Sequence, residues 1–152
     1  MPAGAAADRL DREMKRSYEI LDHTADIGLR VRGRDLPALF EGAAEGLFHL
    51  ILGGRRAHGG EEEIIEVEGV DTTDLLVRWL AELLFRFDAR RRVCTGTRVE
   101  MLSPRRLRAR VQMTALDPAR HKPQMEIKAV TYCGAQVTPG PEGWTAEVVF
   151  DI

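Results

Sequence analysis

Apolar and polar residues alternate with a period of two in several segments, which predicts strands. The clearest case is Ile27, Leu29 and Val31, which alternate with arginines and Gly28, as in a strand buried on one face. The same pattern predicts strands over 18–21, 63–70, 92–101, 107–114, 125–132 and 144–150, with a short return over 135–138. We expect turns at 103–104, at Gly134 and at 139–143, where glycine, proline or serine interrupts the pattern.

Two other segments carry apolar residues every three or four positions, which predicts amphipathic helices. The first follows Asp35, a good N-cap, with Pro37 in its first turn, and it ends at Gly53-Gly54. The second begins in the segment 71–74 and ends near Phe87 or Asp88. The element order predicts an α+β fold, a mainly antiparallel sheet with both helices packed on one face.

The composition indicates one globular domain. A chain of 152 residues suits a single domain over 17–152, preceded by a disordered or frayed tail over 1–16. The net charge of −2 argues against strong non-specific binding of nucleic acid by the chain alone. No apolar run approaches the roughly 20 residues that cross a bilayer, and the start lacks the pattern of a signal peptide. We therefore expect a cytoplasmic protein with no membrane partner.

The first candidate site is the acidic turn that contains Asp22, His23 and Asp26. Short carboxylates at a turn can coordinate a hard cation or orient a histidine for proton transfer. Alternatively, such aspartates bond to nearby backbone N–H groups. The residues alone favour this local interpretation.

The second candidate is the end of the sequence, Asp151 and Ile152. An α-carboxylate beside an aspartate needs a positive neighbour, either a divalent cation or a lysine or arginine. A solvated chain end is the equal alternative. Lys128 on a late strand could bind phosphate beside such carboxylates, or could simply be the solvated partner of a neighbouring acid.

Arginines cluster in the second half of the chain, at 90–92, 98, 105, 106, 108 and 110. They resemble an RNA-binding stripe, but no aromatic residues interleave to stack on bases. A solvated basic edge that deters sheet-to-sheet pairing is the favoured interpretation. The chain also lacks the sequence motifs of P-loop, dinucleotide-binding, H-E-x-x-H zinc and nucleophile-elbow enzymes.

Four segments, taken in order, resemble the archease family. They are the opening from Tyr18 to Leu29, with the helix around Phe40 and Glu41 that follows; the helix from Asp74 to Leu84; the strand from Glu126 to Tyr132; and the close from Val148 to Ile152. Each motif is modest by itself. Their order over 17–152 makes the resemblance specific.

The resemblance implies a function that spacing does not show. Archeases assist RNA ligases of the RtcB type: they promote guanylylation of the ligase histidine, so that the ligase turns over many times. The family binds a cation, seen as calcium, and on this sequence the ligands would be Asp26, Asp151 and Ile152. Asp22, His23, Lys128 and Cys133 would be supporting neighbours. The family often carries histidine where this chain has Cys133, so if that imidazole supports the site, this member differs in metal preference or in the contacts around the metal.

Our hypothesis from the sequence is therefore an accessory protein and not an enzyme. It would bind Ca²⁺, Mg²⁺ or Mn²⁺ through oxygen ligands, dock on an RtcB-type ligase and meet RNA only indirectly or weakly, through the complex. One alternative is a metal-dependent phosphoesterase or RNA-end-processing enzyme that uses the same carboxylates. The other is a chaperone-like modulator of RNA-modifying enzymes.

Overall fold

A computed structural model describes residues 17–22 and 26–152. The tail predicted over 1–16 and the candidate His23 lie outside these residues. The described part contains seven strands and three helices. In chain order they are β1 (Tyr18–Asp22), β2 (Asp26–Gly33), α1 (Leu36–Leu52), β3 (Glu61–Glu68), α2 (Thr72–Arg90), β4 (Arg92–Ser103), β5 (Arg106–Ala115), α3 (Pro118–His121), β6 (Ala129–Gly140) and β7 (Gly143–Asp151).

The strands form two antiparallel sheets, of which one has four strands in the order β1-β2-β7-β6 and the other three in the order β3-β5-β4. The predicted α+β class is confirmed, with the strands divided between two sheets. The inner faces of both sheets contribute to a single buried cluster, to which Leu29 and Phe150 belong on one sheet and Ala109 and Val111 on the other.

The two long helices fill this core because their apolar faces are wide. Helix α1 begins after Asp35, whose carboxylate accepts from Ala38 N, and it ends at Gly53 in the left-handed region, as predicted. Helix α2 contacts strands of both sheets, as does α1, and the indole of Trp79 donates to Phe40 O inside the core. No described helix is long and apolar enough to cross a membrane.

The end of α2 and the course of β6 differ from the prediction. Helix α2 runs to Arg90, because the left-handed Arg91 caps it by donating to two carbonyls. Strand β6 starts at Ala129 and continues through Gly134, where we predicted a turn. The pairs Thr131–Val149 and Gln136–Glu147 enclose four residues of β6 but one of β7, so the extra residues bulge out. Gly134 has a φ of 79° and so permits this bulge without ending the strand.

Candidate functional site

Three strand ends bring the predicted ligands Asp26 and Asp151 together. Asp26 begins β2 and pairs directly with Asp151 at the end of β7. Asp151 pairs on its other side with Ala129, the first residue of β6. Residues that pair directly across antiparallel strands share one face of the sheet. This is the outer face, because the alternate residues Ile27 and Phe150 are buried in the core.

The Asp26 carboxylate has an oxygen without a partner. Its Oδ1 is buried and accepts no hydrogen bond from any group in the described part of the chain. A buried ionised oxygen is costly unless a donor or a cation compensates it. The directly opposed Asp151 adds to this cost, since like charges that face each other across a strand pair are destabilising. A cation between the two carboxylates would offset both costs.

Asp151 and Ile152 leave their oxygens accessible. The side chain of Asp151 is exposed, while its carbonyl accepts a hydrogen bond of 2.8 Å from Lys128 N. Ile152 follows directly and is also exposed. Within residues 17–22 and 26–152, no third histidine, cysteine, aspartate or glutamate joins the two aspartates in a group that could hold a metal. The predicted set of metal ligands therefore consists of the two carboxylates and an oxygen of Ile152.

Two of the residues predicted to support the site, Lys128 and Cys133, make no side-chain hydrogen bond or ion pair to either aspartate in the described part of the chain. Lys128 reaches the site through its backbone, and its side chain is exposed. Cys133 is exposed in the β6 bulge, where its carbonyl accepts from Thr131 Oγ1. Asp22 ends β1 opposite Ile27. The presence of oxygen donors at Asp26 and Asp151 fits a hard cation such as Ca²⁺, Mg²⁺ or Mn²⁺.

A hydrogen-bond network that the sequence did not predict connects the β6 bulge to the start of α2. The buried carboxylate of Asp74 accepts from Tyr132 OH at 2.7 Å through Oδ1. Its Oδ2 accepts from Val70 N at 2.8 Å and from Arg78 Nε at 2.9 Å. The bond from Tyr132 is the largest of the effects that hold the pKa of Asp74 below its usual value. This bond holds Tyr132 in the bulge, three residues after Ala129, which pairs with Asp151 of the candidate site.

Three arginines of the stripe, those of β5, are paired with glutamates on the outer face of the three-stranded sheet. Arg106 contacts Glu68 at 2.7 Å and Arg108 contacts Glu66 at 2.8 Å. Arg110 lies 3.1 Å from both Glu62 and Glu100. All of these side chains are exposed or half-buried, so each pair contributes little stability. The pairs offset the charges of Arg106, Arg108 and Arg110, which lowers the positive charge that these three residues offer to RNA phosphates.

Comparison with known proteins agrees with this architecture. The model of the Archease protein family (MTH1598/TM1083) matches residues 18–152. The chain belongs to the archease family. Protein archease from Pyrococcus abyssi is 37% identical over 91% of this chain and 100% of its own length. The protein of the same name from Methanosarcina barkeri is 35% identical over 90% of this chain and 97% of its own.

Solved archease-like structures share the fold. The solution structure of Methanobacterium thermoautotrophicum protein 1598 has a TM-score of 0.75 and 26% identity, and the match covers 90% of this chain and 99% of that one. The crystal structure of an archease from Thermotoga maritima, described there as a possible chaperone, has a TM-score of 0.61 and 20% identity over 88% and 96% of the two chains. The family model and the curated relatives confirm the family predicted from four sequence segments.

Proposed function

We propose that this archease is an accessory protein of an RtcB-type RNA ligase, which promotes guanylylation of the ligase histidine and repeated turnover. Membership of the family supports the general role. The observation that carries the proposal is the buried, unpartnered Oδ1 of Asp26 directly opposite Asp151. Such a carboxylate pair suits a cation-dependent task better than a purely structural one.

Asp26, Asp151 and Ile152 are the residues that would hold the divalent cation, each through oxygen. When bound, the cation would supply positive charge that can stabilise phosphate oxygens of a nucleotide. Lys128 fixes the position of Asp151 through its backbone N–H, and its exposed ammonium lies on a strand that borders the pair. We propose that the protein works on a cytoplasmic ligase and meets RNA only indirectly or weakly, through that complex.

The direct test is RNA ligation under multiple-turnover conditions. We expect the wild-type protein to stimulate turnover, and Asp26→Asn and Asp151→Asn to lose most of that stimulation. Glu142→Gln, an exposed carboxylate in the β6–β7 turn, is the matched control and should stimulate fully. Assaying ligase guanylylation separately from strand joining identifies the assisted step. Equal stimulation by the wild type and Asp26→Asn would refute the cation-site mechanism.

A binding measurement separates the site from the ligase. Adding Ca²⁺, Mg²⁺ or Mn²⁺ to the isolated protein should raise its melting temperature, since a ligand at a hundred times its Kd stabilises by about 2.7 kcal/mol. Asp26→Asn should melt at the same temperature with or without the cation. The Glu142→Gln control should respond like the wild type.

A second candidate, a general folding helper, is favoured by the description of the Thermotoga maritima protein as a possible chaperone. It predicts that this protein prevents aggregation of unrelated clients and that Asp26→Asn does so equally well. If such protection is found and ligase stimulation is not, this candidate replaces the first.

A further inference from the structure

A small, strongly basic pocket lies beside the C-terminal end of α1, with a volume of about 250 Å³. Its charged or polar lining consists of Arg55, Arg56, His58, Arg120 and His121. No aspartate or glutamate of the described residues lines it. Three guanidinium groups around one cavity repel each other unless an anion joins them.

The two walls of this basic pocket are tied together by backbone contacts. The loop after α1 forms one wall and the turn α3 the other, and Gln124 N donates to Ile51 O at 2.8 Å to join them. Gly53 allows this approach, because a Cβ there would lie 2.4 Å from Gln124 Cγ, and its φ of 64° suits glycine. Arg55 Nη1 also reaches Lys122 O at 3.5 Å. The pocket is therefore built by the fold, although its arginines are exposed.

His121 is a buried residue in the wall of the basic pocket. The residue is only 7% exposed, and its Nδ1 accepts a hydrogen bond of 3.0 Å from Asp117 N. An acceptor at Nδ1 places the ring proton on Nε2 in the neutral imidazole. The Nε2–H group is thus the polar group that this buried ring can offer to a ligand.

The existing ion pairs leave most of the positive charge uncompensated. Arg56 contacts Glu45 at 3.7 Å, but both side chains are exposed, and such a pair is weak. A larger cavity of about 430 Å³ shares Arg55 and Arg56 but is also lined by Glu41 and Glu45, which would repel an anion. Of these two cavities, the basic pocket is the one suited to a negative ligand.

We infer that the basic pocket binds a phosphate monoester. Guanidinium forks match phosphate oxygens in geometry as well as charge. The volume is below the roughly 300 Å³ at which pockets for whole drug-sized ligands begin, so it suits a phosphate and little more. No phenylalanine, tyrosine or tryptophan of the described residues lines it. Base stacking is therefore not available, and recognition rests on the phosphate.

The topology places the basic pocket and the Asp26 site at the same end of the molecule. Helix α1 follows β2 after a short connection and packs back on it. Its 17 residues span about 25 Å and the eight residues of β2 about 26 Å, so its end returns to the level of Asp26. Phosphate binding does not depend on the proposed ligase function, which concerns other residues.

The test is a titration of the isolated, full-length protein followed by amide chemical shifts in NMR, at constant ionic strength. The ligands are inorganic phosphate, adenosine 5′-monophosphate, and a short RNA with either a 5′-phosphate or a 5′-hydroxyl. We expect saturable shifts at 52–58 and 120–122. The double variant Arg55→Gln/Arg120→Gln should bind at least about tenfold more weakly, since it loses two charge-assisted hydrogen bonds.

The control Arg98→Gln/Arg105→Gln removes the same charge from β4 and the β4–β5 turn and should bind like the wild type. Tighter binding of the nucleotide, or of the phosphorylated RNA, identifies the source of the monoester, and both results support the inference. Three results would overturn it: equal losses in both double variants, equal binding of the two RNAs with no response to inorganic phosphate, or shifts that do not saturate.

Discussion

At the scale of single residues, Asp74 is the described carboxylate with the most complete set of donors. Tyr132, Val70 and Arg78 all donate to it, and together they lower its pKa. A lowered pKa in the folded state stabilises the protein above the unfolded value, about 3.9 for aspartate. That contribution is lost as the pH falls through the folded value. The Asp74 network should therefore weaken in acid.

Tyr132→Phe tests this network by removing the donor to Asp74 Oδ1. We expect a loss of about 1 kcal/mol in the free energy of unfolding at neutral pH, the usual size for one hydrogen bond. Urea unfolding at several pH values should show the difference from the wild type shrinking as the pH falls below about 4 and towards the lowered pKa of Asp74 in the folded protein. A difference that stays constant in acid would contradict the role of the ionised Asp74.

A spectroscopic measurement would test the hydrogen bond between Tyr132 and Asp74 independently. The bond to Asp74 raises the pKa of Tyr132 above its ordinary value, because ionising the phenol would lose the donor and face a carboxylate. The wild type should therefore show a late-ionising component in an ultraviolet titration that Tyr132→Phe lacks, and the difference between the two titrations belongs to Tyr132. The chain has only two tyrosines, so the signal is simple to assign.

The sequence indicated which residues could act in a site, but it did not show which residues they contact in the fold. Asp26, Asp151 and Ile152 were candidates from their chemistry, but nothing in their spacing showed that β2 and β7 would pair them; the family resemblance joined them. Asp74 was recognised as part of a helix start. Its bond to Tyr132 spans 58 residues, so it depends on how β6 packs on α2, which local patterns do not encode.

At the scale of elements, the junction of β2 and α1 brings two backbones close together at Gly33, the last residue of β2. A Cβ at Gly33 would lie 2.5 Å from Leu39 N and 2.9 Å from Asp35 O. Both are backbone atoms in or next to the first turn of α1. They cannot move away by changing a rotamer, as the atoms of a side chain can. Glycine is needed here for space and not for an unusual φ.

Gly33→Ala should consequently destabilise the protein by about 1–3 kcal/mol, the usual cost of overpacking. Gly96→Ala is the matched control: it is an exposed strand position where the nearest atom to a new Cβ would be Gln112 Oε1 at 3.8 Å. It should be neutral or slightly stabilising, because alanine loses less chain entropy on folding. Thermal unfolding of both variants decides the matter, and equal melting temperatures would contradict the packing argument.

Elements with local signals were predicted well, and those without them were not. Asp35 and Gly53 mark the ends of α1 in the sequence, and both perform those roles. The β6 bulge contains Gly134, which predicts a turn as readily as a bulge. The choice between them depends on the register against β7. The division of the strands into two sheets is likewise a matter of long-range pairing.

At the scale of the whole molecule, the distribution of charge separates two basic regions with different properties. The three arginines of β5 on the outer face of the three-stranded sheet are matched by glutamates of β3 and β4. Among the described residues, the arginines of the basic pocket have one weak pair, Arg56 with Glu45, and one backbone contact. Net charge alone, −2, conceals this difference. We expect the ion pairs on the sheet to lower the affinity of that face for RNA.

Glu66→Gln/Glu68→Gln tests this by releasing Arg108 and Arg106 while retaining side-chain size. Stability should fall by less than about 1 kcal/mol per pair, because the pairs are exposed. Affinity for unstructured RNA should rise several-fold at low salt and return to the wild-type value at high salt, since phosphate contacts are screened. The control Asp88→Asn/Glu142→Gln makes the same change in net charge at exposed positions in α2 and the β6–β7 turn. If both double variants gain RNA affinity equally, net charge governs binding and the paired sheet face does not. If neither variant gains affinity, the arginines of this face do not bind RNA even when the glutamates no longer neutralise them.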